Sequence, residues 1–245
     1  MSAARQDDLR PADERMPGQV VVAAFDFDGT LTRGGSVWRF LTAMCGRDAV
    51  ISAGIALFPK LLRAALFGGE AADRAKEALF VRTLAGRSET EISERAAVFG
   101  VAHYRRRNRA KVRARLDWHR RQGHHVVVVS ASPECYVRAA ATELHAEGVV
   151  ATELEIGGNG KLTGRFRAGN CRGPQKLARL EEWMGTSLGA THDGDGAPPY
   201  VWAYGNSAGD LEMLLAADIG VDAGRLGRFG KLRRFRRLGD VLTAW

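Results

Sequence analysis

Asp26-Phe-Asp28-Gly-Thr-Leu-Thr32 is the stretch whose residue types and spacing point most directly to chemistry. Two carboxylates two apart, just past an apolar run, can turn toward one crevice where the chain leaves a strand. Like charges that close repel unless a cation lies among them. Oxygen ligands suit Mg²⁺, which keeps waters and takes a few carboxylates. A carboxylate can also attack phosphorus to form an aspartyl phosphate. The Gly29-Thr30 turn allows close backbone approach. Taken alone, D-x-D-G is commonly a solvated turn, so residues elsewhere must decide.

Three other places supply matching groups. Ser130 precedes backbone N–H groups at a helix start, suited to phosphoryl oxygens. Lys176 is a compact cation able to neutralise a nucleophile and a transferring group. Asn206 and Asp210 add oxygen donors for a metal. Each has a bland counterpart: a cap, a solvated helix face, a first-turn acid. Their joint occurrence in this order carries the argument.

The elements that must position them follow from hydrophobic patterning. A chain of 245 residues predicts one domain plus an insertion. Residues 1–18 read as a flexible tail. Apolar runs at Gln19–Phe25, His125–Val129, Tyr200–Tyr204 and Asp218–Val221 read as strands, the first three buried in a core. Ser132-Pro133-Glu134 predicts a helix start with Ser132 as N-cap. The stretch between the first two strands is helical in pattern. Ser88-x-x-Glu91 forms a capping box there, and Leu57, Leu61, Leu62, Ala65 and Leu66 share one helix face. A hairpin is predicted from Leu154–Ile156 to Leu162–Phe166. Pro174 opens a helix with Leu177, Leu180 and Met184 inward and Gly185 as its stop. Residues 189–199 read as a loop, and Asp193-Gly-Asp-Gly196 within it lacks the downstream ligands of a calcium loop. The pattern is α/β: a doubly wound parallel sheet with a helical insertion. Ligands in such sheets lie beyond the carboxyl ends of the strands, where Asp26, Ser130 and Asn206/Asp210 all fall.

Four motifs together resemble the haloacid dehalogenase (HAD) superfamily phosphatases with a helical cap between the first two motifs. They are Asp26-Phe-Asp28-Gly-Thr-Leu-Thr, Val129-Ser130-Ala-Ser, Lys176 and Tyr204-Gly-Asn-Ser-Ala-Gly-Asp210. The resemblance implies a Rossmann-like HAD core over 19–32 and 117–245, with an all-helical C1 cap over 33–116. It implies Asp26 as nucleophile and Asp28 as general acid, then base. Ser130 and Lys176 are implied as phosphoryl binders, and Gly29, Thr30 and Ala131 are expected to line the same phosphate site. Mg²⁺ would be held by Asp26, the Asp28 backbone carbonyl, Asn206 and Asp210. The family usually has Gly-Asp where this chain has Gly205-Asn206, which removes one charge and predicts weaker Mg²⁺ binding.

His119–His125, Ser130–Glu134, Leu162-Thr-Gly164 and Asn170–Leu180 are similar to the subfamily IB hydrolases. That group includes phosphatidylglycerophosphate phosphatase C-like proteins and relatives of phosphoserine phosphatase. The phosphoserine enzymes typically carry Ser-Gly-Gly in the second motif and an acid about nine residues past the nucleophile. Ser130-Ala-Ser and Gly35 stand there instead.

Substrate and partner signals are broader. Lys plus Arg is 36 against 28 Asp plus Glu, a net +8 that favours anionic partners. Ala49–Phe58 and Leu61–Phe67 are broken only by Pro59 and Lys60, with Arg63 inside, and Tyr104–Arg115 carries seven basic residues in twelve. An apolar cap flanked by cations suits an anionic phospholipid interface; packing between cap helices and a solvated basic face are the plain alternatives. The basic, Gly-interrupted segment 225–237 makes a poor membrane helix, and the resemblance suggests a helix covering the sheet there. The longest uncharged run in the apolar cap, Ala49–Pro59, is 11 residues, short of the roughly 20 that span a bilayer. Met1–Gln19 has no apolar core of a secretory signal. Cys45, Cys135 and Cys171 are odd in number with no Cys-x-x-Cys, against a disulfide framework or zinc knuckle. His103, His119, His124 and His125 lack metal-ligand spacing and are expected to cap, pack or face solvent. The expectation is a cytoplasmic Mg²⁺-dependent phosphomonoesterase. Its substrate would be a phosphorylated small molecule or a phospholipid, with peripheral contact on the inner membrane face in the second case. A catalytically weakened anion- or membrane-binding module is the alternative from another class. No nucleic-acid fold signature accompanies the charge, so nucleic acid is not expected.

Overall fold

Five apolar residues after Val20 become the strand on which the site hangs. In a computed structural model describing residues 18–189, 197–224 and 235–242, the strands are β1 (Val21–Phe25), β2 (His125–Pro133), β3 (Gly148–Thr152), β4 (Leu154–Ile156), β5 (Leu162–Phe166), β6 (Tyr200–Gly205), β7 (Ile219–Asp222) and β8 (Arg236–Arg237). The helices are α1 (Val37–Cys45), α2 (Arg47–Ala56), α3 (Phe58–Phe67), α4 (Gly69–Leu84), α5 (Glu89–Arg107), α6 (Ala110–Arg121), α7 (Glu134–Glu143), α8 (Pro174–Leu188), α9 (Leu211–Ala216) and α10 (Leu238–Leu242). Six strands form one sheet in the order β3-β2-β1-β6-β7-β8, every neighbour parallel.

A parallel sheet is covered on both faces, which explains why β1 is apolar at every position rather than alternately. Val21, Ala23 and Phe25 enter one core; Val22 and Ala24 enter the other. Phe25 pairs with Val128 on one side and Tyr204 on the other. Asp26 and Asn206 therefore leave two adjacent strands, and Ser130 stands within the third, β2, at nearly the same level. Strand order reverses beside β1, the position where doubly wound sheets open a ligand crevice.

α1 to α5 form the predicted helical insertion after β1. Ser88 is the N-cap of α5 and accepts from the Glu91 amide, and β4 and β5 form the expected antiparallel hairpin. α5 lies so close to α7 that a Cβ on Gly100 would sit 2.1 Å from the Tyr136 carbonyl oxygen. Only glycine permits that approach.

Four expectations are corrected. β2 continues through Pro133, with a register shift after Val129, and α7 begins at Glu134 with no side-chain cap. Ser132 is therefore no N-cap; its hydroxyl is bound elsewhere, as described below. α8 passes through Gly185 and stops at Gly189, which has the left-handed φ of 61° that ends helices. Gly185 costs only about 1 kcal/mol inside a helix, too little to break one packed on Leu180 and Met184. On α3 the inward row is Leu57, Leu61 and Ala64, half-buried, whereas Leu62, Ala65 and Leu66 are exposed. The basic run is not a uniform solvated face. Arg115 is buried, lies over Trp118 and Trp202 and donates to the Tyr204 hydroxyl, while Arg113 pairs with Asp117. His119 bonds Tyr204 and His124, a packing role as expected. β3 was not anticipated.

No single helix among the described residues is long and apolar enough to cross a membrane. The expected tail, the Asp193–Gly196 stretch and residues 225–234 lie outside the described residues, apart from Gly18.

Candidate active site

The site grows from β1. Asp26 follows Phe25 and donates its amide to the Tyr204 carbonyl at 2.9 Å, which locks its backbone to the sheet. The chain then turns tightly, with the Leu31 and Thr32 amides bonding back to Asp26 and Phe27 carbonyls. Gly29 makes the turn with a φ of 86°. Asp26 is 6 % exposed and Lys176 1 %, so their charges face each other away from water.

Lys176 reaches the site because it shares the buried face of α8 with Leu180 and Met184, spaced four residues apart. Its ammonium donates to Asp26 Oδ1 at 2.8 Å and Asp210 Oδ1 at 2.5 Å. Burial would neutralise an isolated lysine, but the two carboxylates outweigh that and hold it well above its ordinary range. Asp26 is pushed up to about 7 by burial and then by Asp210, against the pull of Lys176. Asp210 goes down: burial would raise it, but Lys176 and the bonds from Asn206 and Ser207 prevail. Its Oδ2 accepts from the Asn206 amide, the Ser207 amide and the Ser207 hydroxyl. Oδ1, by contrast, accepts one bond among the described residues, from Lys176, and is the oxygen left able to take the ligand role expected of Asp210.

Asp28 sits in a different environment. Its Oδ2 accepts from the Ser132 hydroxyl at 2.5 Å and the Ser36 hydroxyl at 2.6 Å, and Ser36 in turn meets Tyr136 at 2.6 Å. Burial raises the Asp28 pKa and the two hydroxyls oppose it. Oδ1 is buried with no partner among the described residues. One oxygen is thus anchored, and the other has no partner among the described residues.

Asn206 lies behind the turn. In the amide orientation that satisfies both its atoms, its nitrogen donates to the Asp28 carbonyl at 2.9 Å, Asp26 Oδ2 at 3.0 Å and Thr30 Oγ1 at 3.0 Å. Three oxygens therefore converge on one point, and a Cβ on Gly29 would stand 2.3 Å from that amide. An all-oxygen convergence with one carboxylate and one carbonyl fits Mg²⁺, which fills the rest of its octahedron with water. No cluster of three or more His, Cys, Asp or Glu side chains able to hold a metal occurs among the described residues. A cation here would lean on carbonyl and amide oxygens.

Asp26, Asp28, Ser130, Ala131, Lys176 and Asp210 line one cavity of about 100 Å³ together with Ser132 and Arg172. Gly29, Thr30 and Asn206 do not line it. Gly29 and Asn206 border a separate cleft with Arg33 and Lys111, and Arg109 donates to the Gly29 and Thr30 carbonyls. Five residues here were not anticipated: Ser36, Lys76, Ser132 in its acid-binding role, Tyr136 and Arg172. Lys76 is the most distant in origin. It comes from α4, is fully engaged with the Ala131 carbonyl at 2.5 Å and Asn170 Oδ1 at 2.8 Å, and is lowered to about 8 by burial. Its position in sequence offers no signal, since the surrounding helix is weakly amphipathic. Arg172 stands in the Asn170–Pro174 run, where its charge beside Lys176 was a usable clue.

The model of one protein family, the haloacid dehalogenase-like hydrolases, matches residues 23–215. The Caulobacter vibrioides protein CicA is 31% identical over 209 residues, covering 85% of this chain and 88% of that one. A Bordetella pertussis Tohama I protein of unknown function has a similar structure, with a TM-score of 0.71 at 19% identity over 89% of this chain and 98% of its own. A substrate-bound phosphoserine phosphatase complex is similar with a TM-score of 0.58 at 15% identity, covering 92% of this chain and 98% of its own.

Proposed function

The chain belongs to the haloacid dehalogenase-like hydrolases, and on that footing we propose that it is a Mg²⁺-dependent phosphatase acting on a phosphate monoester through an aspartyl phosphate on Asp26. The observation that carries this reading is the contrast between two buried carboxylates. Asp26 is ion-paired to Lys176, while Asp28 is anchored by hydroxyls with one oxygen unpaired. Pairs of titratable groups in such unlike surroundings divide nucleophile from acid–base work.

An Asp26 oxygen attacks phosphorus as the ester P–O bond breaks, and Asp28 gives its proton to the departing alcohol. Water then gives a proton to Asp28 and attacks the same phosphorus. The bond to Asp26 breaks, the carboxylate returns and inorganic phosphate leaves. Lys176 offsets charge on the nucleophile and the transferring group, and Ser130 and Arg172 face the phosphoryl oxygens from the cavity wall. Asp26, the Asp28 carbonyl, Asp210 and, with its amide turned so that the oxygen faces them, Asn206 would hold Mg²⁺, which supplies positive charge to the phosphoryl group when bound.

The substrate we favour is an anionic phospholipid headgroup phosphate, such as that of phosphatidylglycerophosphate, met by a cytoplasmic protein at the membrane face. The likeness in fold to phosphoserine phosphatase supports a second reading, a small-metabolite phosphatase. A phosphate-release screen with and without Mg²⁺ tests both, comparing phosphatidylglycerophosphate, lysophosphatidate, phosphoserine, and sugar and nucleotide monophosphates. We expect Mg²⁺-dependent release that Asp26→Asn abolishes while the thermal unfolding profile stays. Turnover by Asp26→Asn near that of the unaltered chain would refute the assignment.

A further inference from the structure

The outward face of α2 and α3 plays no part in the catalytic scheme. Among the described residues, eleven large hydrophobic side chains are exposed, and six of them fall in this elbow: Ile51, Ile55, Phe58, Leu62, Leu66 and Phe67. α3 buries none of its residues. Phe58, Leu62 and Leu66 stand four residues apart on α3, so they form one row along its surface, and Ile51 and Ile55 stand four apart on α2. A clustered apolar patch of this kind marks an interaction surface, unlike single exposed hydrophobics.

We infer that the α2–α3 elbow is a docking element for an anionic lipid bilayer, lying in the interface with its apolar row in the acyl boundary. Charge selects this partner. Arg47 and Asp48 open α2 with opposite charges; from Ala49 to Gly69 there is no further acid, and the two charges present are Lys60 and Arg63, both on α3. Such stems can reach headgroups while their neighbours sink. Glu70, the first acid beyond, is paired with Arg74. A second copy fits less well. A two-fold contact sets each patch against its own twin, so Lys60 and Arg63 would meet cations, while the bordering acids, Asp48 and the Arg74-paired Glu70, stand at the two ends of the elbow in sequence.

Geometry sets the depth. Each helix has 10 residues and the two bend by 73°, whereas a spanning helix needs about 20 in line. The elbow therefore lies on the bilayer. α4 follows directly and carries Lys76 into the site at Ala131. Seven residues of helix separate Gly69 from Lys76, which places the elbow about 10 Å along α4 from the cavity wall. Docking would hold the site within reach of the headgroup layer. The inference rests on the phosphatase reading for its purpose, but binding is measured separately.

The experiment is co-sedimentation of the full chain with phosphatidylcholine vesicles and with vesicles of phosphatidylcholine plus phosphatidylglycerol. Light scattering and hydrolysis of a soluble aryl phosphate are measured alongside. We expect binding to the anionic vesicles, weakened about tenfold or more in Leu62→Glu/Leu66→Glu and reduced in Lys60→Glu/Arg63→Glu. Aryl phosphate turnover should be unchanged in both variants. Absence of binding by the unaltered chain overturns the inference, as does binding that neither variant weakens. A dimer that the leucine variant dissociates, without vesicle binding, assigns the patch to a second copy instead and overturns it too. Vesicle binding with no turnover on any substrate would sink the phosphatase reading and leave the docking surface standing.

Discussion

Asn206 is the residue at which this chain departs from its family's usual acid, and its surroundings show what the difference costs. Its amide fills the point where Asp26, the Asp28 carbonyl and Thr30 converge, so an uncharged donor takes strain off three buried oxygens. Asn206→Asp replaces that donor with a further, half-buried negative charge beside Asp26. Without Mg²⁺ the variant should unfold at a lower temperature. With Mg²⁺ it should gain more stability than the unaltered chain, because ligand stabilisation grows with the logarithm of affinity. Calorimetric Mg²⁺ titration and thermal unfolding check both halves; unchanged affinity would mean that position 206 does not face the ion. Lys176 and Asp210 were identifiable from sequence as types, but their mutual bond was not. Spacing along a chain does not reveal that one carboxylate will bind the lysine and three donors of its own loop.

Elements impose the next constraint, and α5 illustrates it. Gly100→Ala should help α5 as a helix by about 1 kcal/mol. The added Cβ would collide with the Tyr136 carbonyl of α7, however, and overpacking against backbone costs roughly 1–3 kcal/mol. Packing should win, giving a lower urea midpoint; a rise would show that the two helices separate easily. His103, on the same helix, packs against Phe27 and Phe99 with Nε2 buried and unpartnered among the described residues. Burial first, then Arg107 and Arg39, lower its pKa to about 4 from 6.5. Between those values the unfolded chain binds the proton that the folded one refuses. Stability from this group is therefore complete above about pH 6.5 and is lost as pH falls toward 4. His103→Gln should flatten that decline in urea midpoints measured across the window. Helix and strand existence was legible from periodicity at most places. Exact ends were not: Gly185 and Gly189 are the same residue type, and packing against the sheet decided which one terminates α8.

At the scale of the whole molecule, the insertion and the sheet are joined across the site. Lys76 carries an ammonium from α4 to the Ala131 carbonyl and Asn170, and Asn170 donates back to Asp73 of α4. The cavity beneath is about 100 Å³, with room for a phosphoryl group and little else. Lys76→Met breaks this latch and leaves the single Thr152 hydroxyl to serve both Asn170 Oδ1 and the Ala131 carbonyl, a loss of about 1–3 kcal/mol. Amide exchange in α4 should accelerate while exchange in β1 stays slow; equal protection in both would show that Lys76 does not hold the two parts together. The amino-acid order by itself determined the parallel sheet, the helical insertion and the convergence of Asp26, Ser130 and Asp210, while the place of Lys176, on helix α8, was expected from the resemblance of the motifs. Apolar runs long enough to be buried on both faces admit few arrangements, and polar residues at their carboxyl ends must meet. Tertiary structure alone decided that Ser132 and Ser36 anchor Asp28, that Lys76 joins the site and that Leu62 and Leu66 face outward. Those outcomes depend on which surfaces touch across long stretches of chain, and hydroxyls, lysines and leucines carry no local mark of the neighbour they will find.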